Sequence, residues 1–214
     1  LIFCAAALSA LAACSAGDLG GVKGSGIVKD ESRDAVGFTS IALASIGDVH
    51  VRQADKESLT IRAEDNILPL LESRVEGGAL KLSVAKDARI DPTKPVEFDV
   101  TVKSLQGLRV SGAGSVEVAG IRAKILLVEL SGVGSVTVAG VGDELALTLS
   151  GVGSYRGADF KTKRATVRSS GVGSAVVNAS DFLDASVSGV GSVEYVGSPQ
   201  VRQSVSGIGS IKKL

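Results

Sequence analysis

The chain is 214 residues long, with 27 glycines, four prolines, seven aromatic residues and no tryptophan, and its Lys+Arg and Asp+Glu counts are equal at 23. That length holds one solenoid or one ordinary domain, and the composition allows only a thin core of Val, Leu, Ile and Ala. Charge neutrality argues against a nucleic-acid partner, which selects a basic excess, and against adhesion to an anionic membrane by net charge.

Leu1 to Cys14 carries no charge and is mostly apolar. It is too short to span a bilayer reliably but suits the apolar part of an export signal. It ends in Leu11-Ala12-Ala13-Cys14, followed by Ser15-Ala16-Gly17. This resembles the lipobox of bacterial lipoproteins, and the resemblance implies that Cys14 is lipidated and becomes the new N-terminus. Residues 1–13 are then a signal peptide, read as clipped at its start because a Met and a basic segment are missing from it. By the sorting rule that the resemblance brings, Ser15 after the cysteine implies the outer membrane of a bacterial cell envelope. The alternative is an ordinary secretory signal cut near Ala13, with Cys14 incidental. Cys4 leaves with the signal, so no cysteine remains for a disulfide, a thiolate metal site or thiol catalysis.

Residues 14–33 are rich in Gly, Ser and charge, as in Gly20-Gly21 and Lys29-Asp30-Glu31-Ser32-Arg33, and read as a flexible tether. Residues 34–214 are the expected head. Its first part alternates with period two at Ile41 and Leu43, Val49 and Val51, and Leu59 and Ile61, the signature of half-buried strands. Ser45-Ile46-Gly47-Asp48 occupies the place of a corner in a degenerate first coil. Asp65 to Glu72 interrupts the alternation and predicts a short helical turn or loop. Leu80, Leu82 and Val84 resume it, Asp91-Pro92-Thr93-Lys94-Pro95 is a turn with its prolines outside strand interiors, and Val96, Phe98, Val100 and Val102 alternate again. This irregular third is expected to cap one end of a stack.

A six-residue phrase then returns six times, beginning at Ser111, Ser131, Ser150, Ser170, Ser188 and Ser206, at intervals of 20, 19, 20, 18 and 18 residues. Ser, Gly, Gly and Ser hold its first, second, fourth and fifth places; Ala113, Val133, Val152, Val172, Val190 and Ile208 hold the third. The paired glycines are Gly112 and Gly114, Gly132 and Gly134, Gly151 and Gly153, Gly171 and Gly173, Gly189 and Gly191, and Gly207 and Gly209. Each pair would cost a helix about 1 kcal/mol per glycine but suits a chain turning a corner.

A meander does not require the same corner every nineteen positions, whereas a coil that returns above its start does. Nineteen residues at roughly 3.3 Å close a path of about 60 Å, with coils about 4.8 Å apart. The expected fold is all-β: a single-domain parallel β-helix of about 18–20 residues per rung, right-handed by the default of parallel crossovers. Three columns are expected to point inward: the residue before the first serine (Val110, Leu130, Leu149, Val187, Val205), the third place of the phrase, and the residue five after the first serine. Ser169 interrupts the first column, making the fourth rung the expected weak point.

Three stretches carry a more specific likeness: Phe38 and Ile41 to Gly47-Asp48-Val49-His50-Val51, then Gly77-Gly78-Ala79-Leu80-Lys81-Leu82, then Leu108-Arg109-Val110-Ser111-Gly112-Ala113-Gly114-Ser115. Over Phe38 to Ile211 the chain resembles the bacterial family of auto-transporter adhesin head GIN domains. The resemblance implies an exported β-helical domain, often lipoprotein-anchored, with no catalytic residue to transfer.

Little else in the sequence argues for chemistry. His50 is the only histidine and sits in an alternating strand, the place of an outward residue rather than a metal ligand or base. The repeated serines lie between structural glycines, and nucleophilic catalysis needs one privileged serine rather than a ladder. The corners feed no helix that could hold a phosphate and contain no Asp for calcium, so neither cofactor nor metal is expected. Asp143, Glu144, Asp159, Lys161, Lys163, Arg164, Asp181 and Asp184 fall in successive return segments. A carbohydrate-active lyase or hydrolase could line such an edge, but interleaved acids and bases more simply make solvated pairs. Tyr155 and Tyr195 take inward places by phase. The expected partners are a membrane through the lipid anchor and a glycan or envelope protein along the faces. A second copy could pair through the exposed rung edge that Lys212 and Lys213 guard.

Overall fold

The structure is a computed structural model and describes residues 20–214. The expected signal peptide, residues 1–13, and Cys14 lie outside the described residues. Among the described residues nine strands precede the regular repeats: β1 (Val22–Lys23), β2 (Val28–Arg33), β3 (Ser40–Leu43), β4 (Asp48–Gln53), β5 (Ser58–Glu64), β6 (Leu71–Glu76), β7 (Ala79–Val84), β8 (Ile90–Asp91) and β9 (Glu97–Val102). The rungs follow as β10 (Gly107–Val110), β11 (Ala113–Leu130), β12 (Val133–Leu149), β13 (Val152–Ser169), β14 (Val172–Val187), β15 (Val190–Val196), β16 (Gln200–Val205) and β17 (Ile208–Lys213). The interruption at Asp65 to Glu72 contains a 3-10 turn, Leu68–Leu70.

From β10 onward every pairing is parallel, and like lies over like: Val133, Val152, Val172, Val190 and Ile208 are successive partners in one ladder. The chain is a parallel β-solenoid. The differences among the repeat intervals are absorbed in the return segments, where register shifts fall after Val118, Thr137, Arg156 and Thr162. The corners therefore stay aligned although the period drifts.

β3 and β4 form the first cornered rung, beneath β10 and β11, with Ile46 bridged to Ala113 as the degenerate corner requires. β7 and β9 lie parallel beneath them, after which β6, β5 and β2 reverse direction. This antiparallel layer ends the stack on the N-terminal side.

Two of the three expected inward columns are inward except at the last rung, where Val205 is 45% exposed because no further rung covers it in the described chain. Val110, Leu130, Leu149, Ser169 and Val187 are buried, as are Val116, Val136, Tyr155, Ala175 and Val193. The third place of the phrase is not: Val133, Val152, Val172 and Val190 are 49–58% exposed, and Ile208 is 76% exposed. The reason is parity. Val110 and Val116 are an even number of residues apart, so with both of them inward the two-residue alternation puts Ala113 outward. At the glycines there is no room for a Cβ, which would point along the stack at the backbone of the rung beneath. A methyl on Gly132 would overlap the carbonyl oxygen of Gly112, and one on Gly134 that of Gly114. Positive φ accompanies the close approach only in part, at 149° for Gly134 but not at Gly132.

Residues 20–33 also depart from the tether reading. β1 pairs with β8, and β2 pairs along its whole length with β5. Its side chains are almost all exposed, so no hydrophobic pattern announced it. Hydrogen bonds hold it instead: the Arg33 guanidinium donates to the carbonyls of Leu68 at 2.9 Å and Leu71 at 2.6 Å.

Tyr155 stands where the neighbouring rungs have Val136 and Ala175. Gly157 makes room for it, since a methyl there would lie 2.7 Å from the phenol oxygen. The hydroxyl is buried without a hydrogen-bond partner among the described residues, and burial pushes its pKa upward. Tyr155→Phe is therefore expected to stabilise the protein by about 1 kcal/mol, because an unpaired buried donor carries a desolvation cost. The urea midpoint should rise at unchanged slope; an unchanged or lower midpoint would show that the hydroxyl has a partner.

Candidate functional site

Past each corner the sheet presents two outward ladders. One is the apolar column from Ile46 through Ala113, Val133, Val152, Val172 and Val190 to Ile208; beside it runs Asp48, then Ser115, Ser135, Ser154, Ser174, Ser192 and Ser210. Asp48 closes the serine ladder, its carboxylate accepting from the Ser115 N–H at 2.9 Å and hydroxyl at 2.6 Å. With rungs about 4.8 Å apart, like-oriented hydroxyls are too distant to bond one another. They remain a regular array of donors and acceptors along an apolar ridge.

The next outward column holds Asp99, His50 and Glu117 on neighbouring strands. His50 points outward, as its strand phase predicts, with Nδ1 3.6 Å from the Glu117 carboxylate. With Arg52 these residues edge a depression of only about 210 Å³. Among the described residues no group of His, Cys, Asp and Glu is arranged to hold a metal ion.

The eight charged residues of the return segments do not converge. Asp143 and Lys163 pair at 2.8 Å. That bond and the Lys163 charge hold the Asp143 carboxyl below its ordinary value, with a smaller contribution from Lys124, and the same bond raises Lys163, which Asp181 also favours. The signs thus alternate across rungs. Glu144 and Arg164 are register partners beside this line, Lys161 pairs in register with Val141, and Asp159 is exposed in the segment where register shifts. Asp184 lies around the next bend, opposite Thr166 and Arg202, so it leaves the edge proposed for it.

The sequence reading passed over one surface. Lys124 and Ile125 both face outward at the bend, and Leu127 follows them, so Ile125 and Leu127 are 43% and 55% exposed. The run Ile125-Leu126-Leu127-Val128 was the available signal, because four consecutive apolar residues cannot all be buried in an alternating strand.

The family described as "Putative auto-transporter adhesin, head GIN domain" matches residues 37–199. The chain belongs to this family. No curated protein matches it significantly. The head GIN domain is similar to the crystal structure of a "putative adhesin" from Bacteroides fragilis, with 28% identity, a TM-score of 0.76, and coverage of 91% of this chain and 100% of that one. A "putative adhesin" from Parabacteroides merdae is 18% identical with a TM-score of 0.59, covering 90% of this chain and 98% of that one. A "putative lipid binding protein" from Parabacteroides distasonis is 22% identical with a TM-score of 0.56, covering 90% and 99%. The last two share the fold alone. Among the described residues no helix is long and apolar enough to cross a membrane.

Proposed function

We propose that this head GIN domain is the non-catalytic, adhesin-like binding head of an exported cell-envelope protein, anchored to the outer membrane by a lipid on Cys14. It engages a glycan or an envelope protein along the corner face. The observation that carries this reading is the pair of uninterrupted ladders: an outward apolar residue at every corner, more than half exposed at Val133, Val152 and Val172, beside one hydroxyl per rung. Such a face offers apolar contact and hydrogen bonds at a fixed repeat, which suits a long partner with both kinds of group. The adhesin description of the Bacteroides fragilis protein supports the same reading. Gly20 is already part of the described chain. The six peptide links from Cys14 to Gly20 reach at most about 22 Å, so a lipid on Cys14 would keep the capped end near the bilayer.

A screen of glycans and envelope proteins, run beside a polysaccharide-cleavage assay, tests the proposal. The expected result is retention without cleavage, weakened at least tenfold by the combined Val133→Asn, Val152→Asn and Val172→Asn variant, whose exposed substitutions leave the core intact. Equal binding by that variant would overturn the corner face as the site. The alternative of a carbohydrate-active enzyme draws on His50, Asp99 and Glu117, where three ionisable side chains line up. Cleavage that His50→Ala abolishes would establish it instead.

A further inference from the structure

A concavity of about 410 Å³ opens where the chain leaves Leu105 and β11 turns its bend. Buried Leu105 and half-buried Ala123 form its floor, Ile125 and Leu127 one wall, and Arg122 and Lys124 the other end. The strand is therefore amphiphilic along its own length: two outward cations come first and two outward aliphatic side chains follow.

Among the described residues neither Arg122 nor Lys124 ends in an ion pair. Asp143, which feels the Lys124 charge, is already held by Lys163 at 2.8 Å. At the aliphatic end the register partner of Ile125 is Glu144. An anion is thus favoured at the Arg122 end and repelled at the Ile125 end, while the wall between them has exposed apolar surface to cover. The volume lies at the lower end of the range of small-molecule sites.

We infer that this concavity binds a single-chain anionic amphiphile, its head against Arg122 and Lys124 and its aliphatic tail along Ile125 and Leu127 over Leu105. The site is separate from the corner face and does not depend on the binding role proposed for it. Overall neutrality is no obstacle, because the attraction is local to two cations.

The test is a heteronuclear NMR titration of the protein with decanoate at pH 8, with acetate as the head alone and decyltrimethylammonium as the same tail with the opposite charge. Decanoate should give saturable shifts confined to residues 104–106 and 122–127, and octanoate should bind about tenfold more weakly for its two missing methylenes. Arg122→Gln with Lys124→Gln, and separately Leu127→Ser, should each weaken decanoate at least tenfold with unchanged circular dichroism. The inference is overturned by absence of saturable decanoate binding, or by variants that bind as well as the parent. Acetate of equal affinity would reduce the site to an anion contact, and decyltrimethylammonium of equal affinity to a greasy patch; either also overturns it.

Discussion

Gly134→Ala is expected to be among the most destabilising single substitutions in this protein, although it adds one methyl group. The added Cβ would sit inside the van der Waals envelope of the Gly114 carbonyl oxygen. That atom is backbone, so no rotamer change can relieve the overlap. Nor can the rungs separate, because Val133 N–H donates to Gly112 and Val152 N–H to Gly132, both at 3.0 Å, on either side of the same corner. A φ of 149° adds strain of its own for a residue with a side chain. Relief requires breaking the ladder at a corner shared by two interfaces, and a solenoid has only such neighbour interfaces to hold it. A loss above about 4 kcal/mol is the expected scale, a large part of a domain's whole stability. The control lies one residue away: Val133→Ala places in the third position the residue that Ala113 already supplies, and should cost well under about 1 kcal/mol at so exposed a site. Urea denaturation followed by far-ultraviolet circular dichroism compares the two. Similar midpoints for both variants would mean that the corner does not approach its neighbour closely.

The same corner shows what could be read in advance. Six copies of one phrase announce stacking, and stacking is what the ladder of Val133, Val152 and Val172 displays. The face each residue takes was equally legible from the even separation of Val110 and Val116. Assigning the third place inward followed its hydrophobicity rather than its parity, and so hid the ridge that became the leading candidate site. For β2 no such reading was open. Its residues face solvent, and its position is fixed by backbone pairing and by the bonds of Arg33 to carbonyls distant in sequence. The return-segment charges were legible in kind but not in place, because the irregular returns that absorb the drifting period decide whether Asp184 stands beside Asp181 or around the bend. Ile125 and Leu127 required the location of that bend.

Acidification is expected to loosen the N-terminal clip before it touches the rungs, with Glu64 as the main sensor. Glu64 lies at the end of β5 and is 1% exposed. Its carboxylate accepts from Gly26 N–H at 2.6 Å, Thr93 N–H at 2.8 Å, the Thr93 hydroxyl at 2.5 Å and Lys94 N–H at 3.3 Å. Burial by itself would raise the carboxyl's pKa. The Thr93 hydroxyl and the three backbone donors together outweigh that and hold it below the ordinary 4.5. A carboxyl lowered in the folded state contributes stability that is complete above its unfolded pKa and disappears as pH falls through the folded one. At pH 7 the clip is therefore fully held, and weakening begins only below about 4.5. Asp65 acts in the same sense next door: the Ser25 hydroxyl, at 2.6 Å, is the chief cause of its lowered pKa, against some desolvation and with help from Lys29. Hydrogen exchange, corrected for intrinsic rates and measured from pH 7 to pH 3, should show protection falling selectively over Gly26 to Arg33 and at Thr93 and Lys94, while β12 to β14 stay protected. Glu64→Gln places an amide donor against four donors. It should lower that protection already at pH 7 and flatten its pH dependence, leaving only the slope that Asp65→Asn removes. Uniform loss of protection along the chain, or a Glu64→Gln clip as protected as the parent at pH 7, would show that the N-terminal strands are held by pairing with β5 alone.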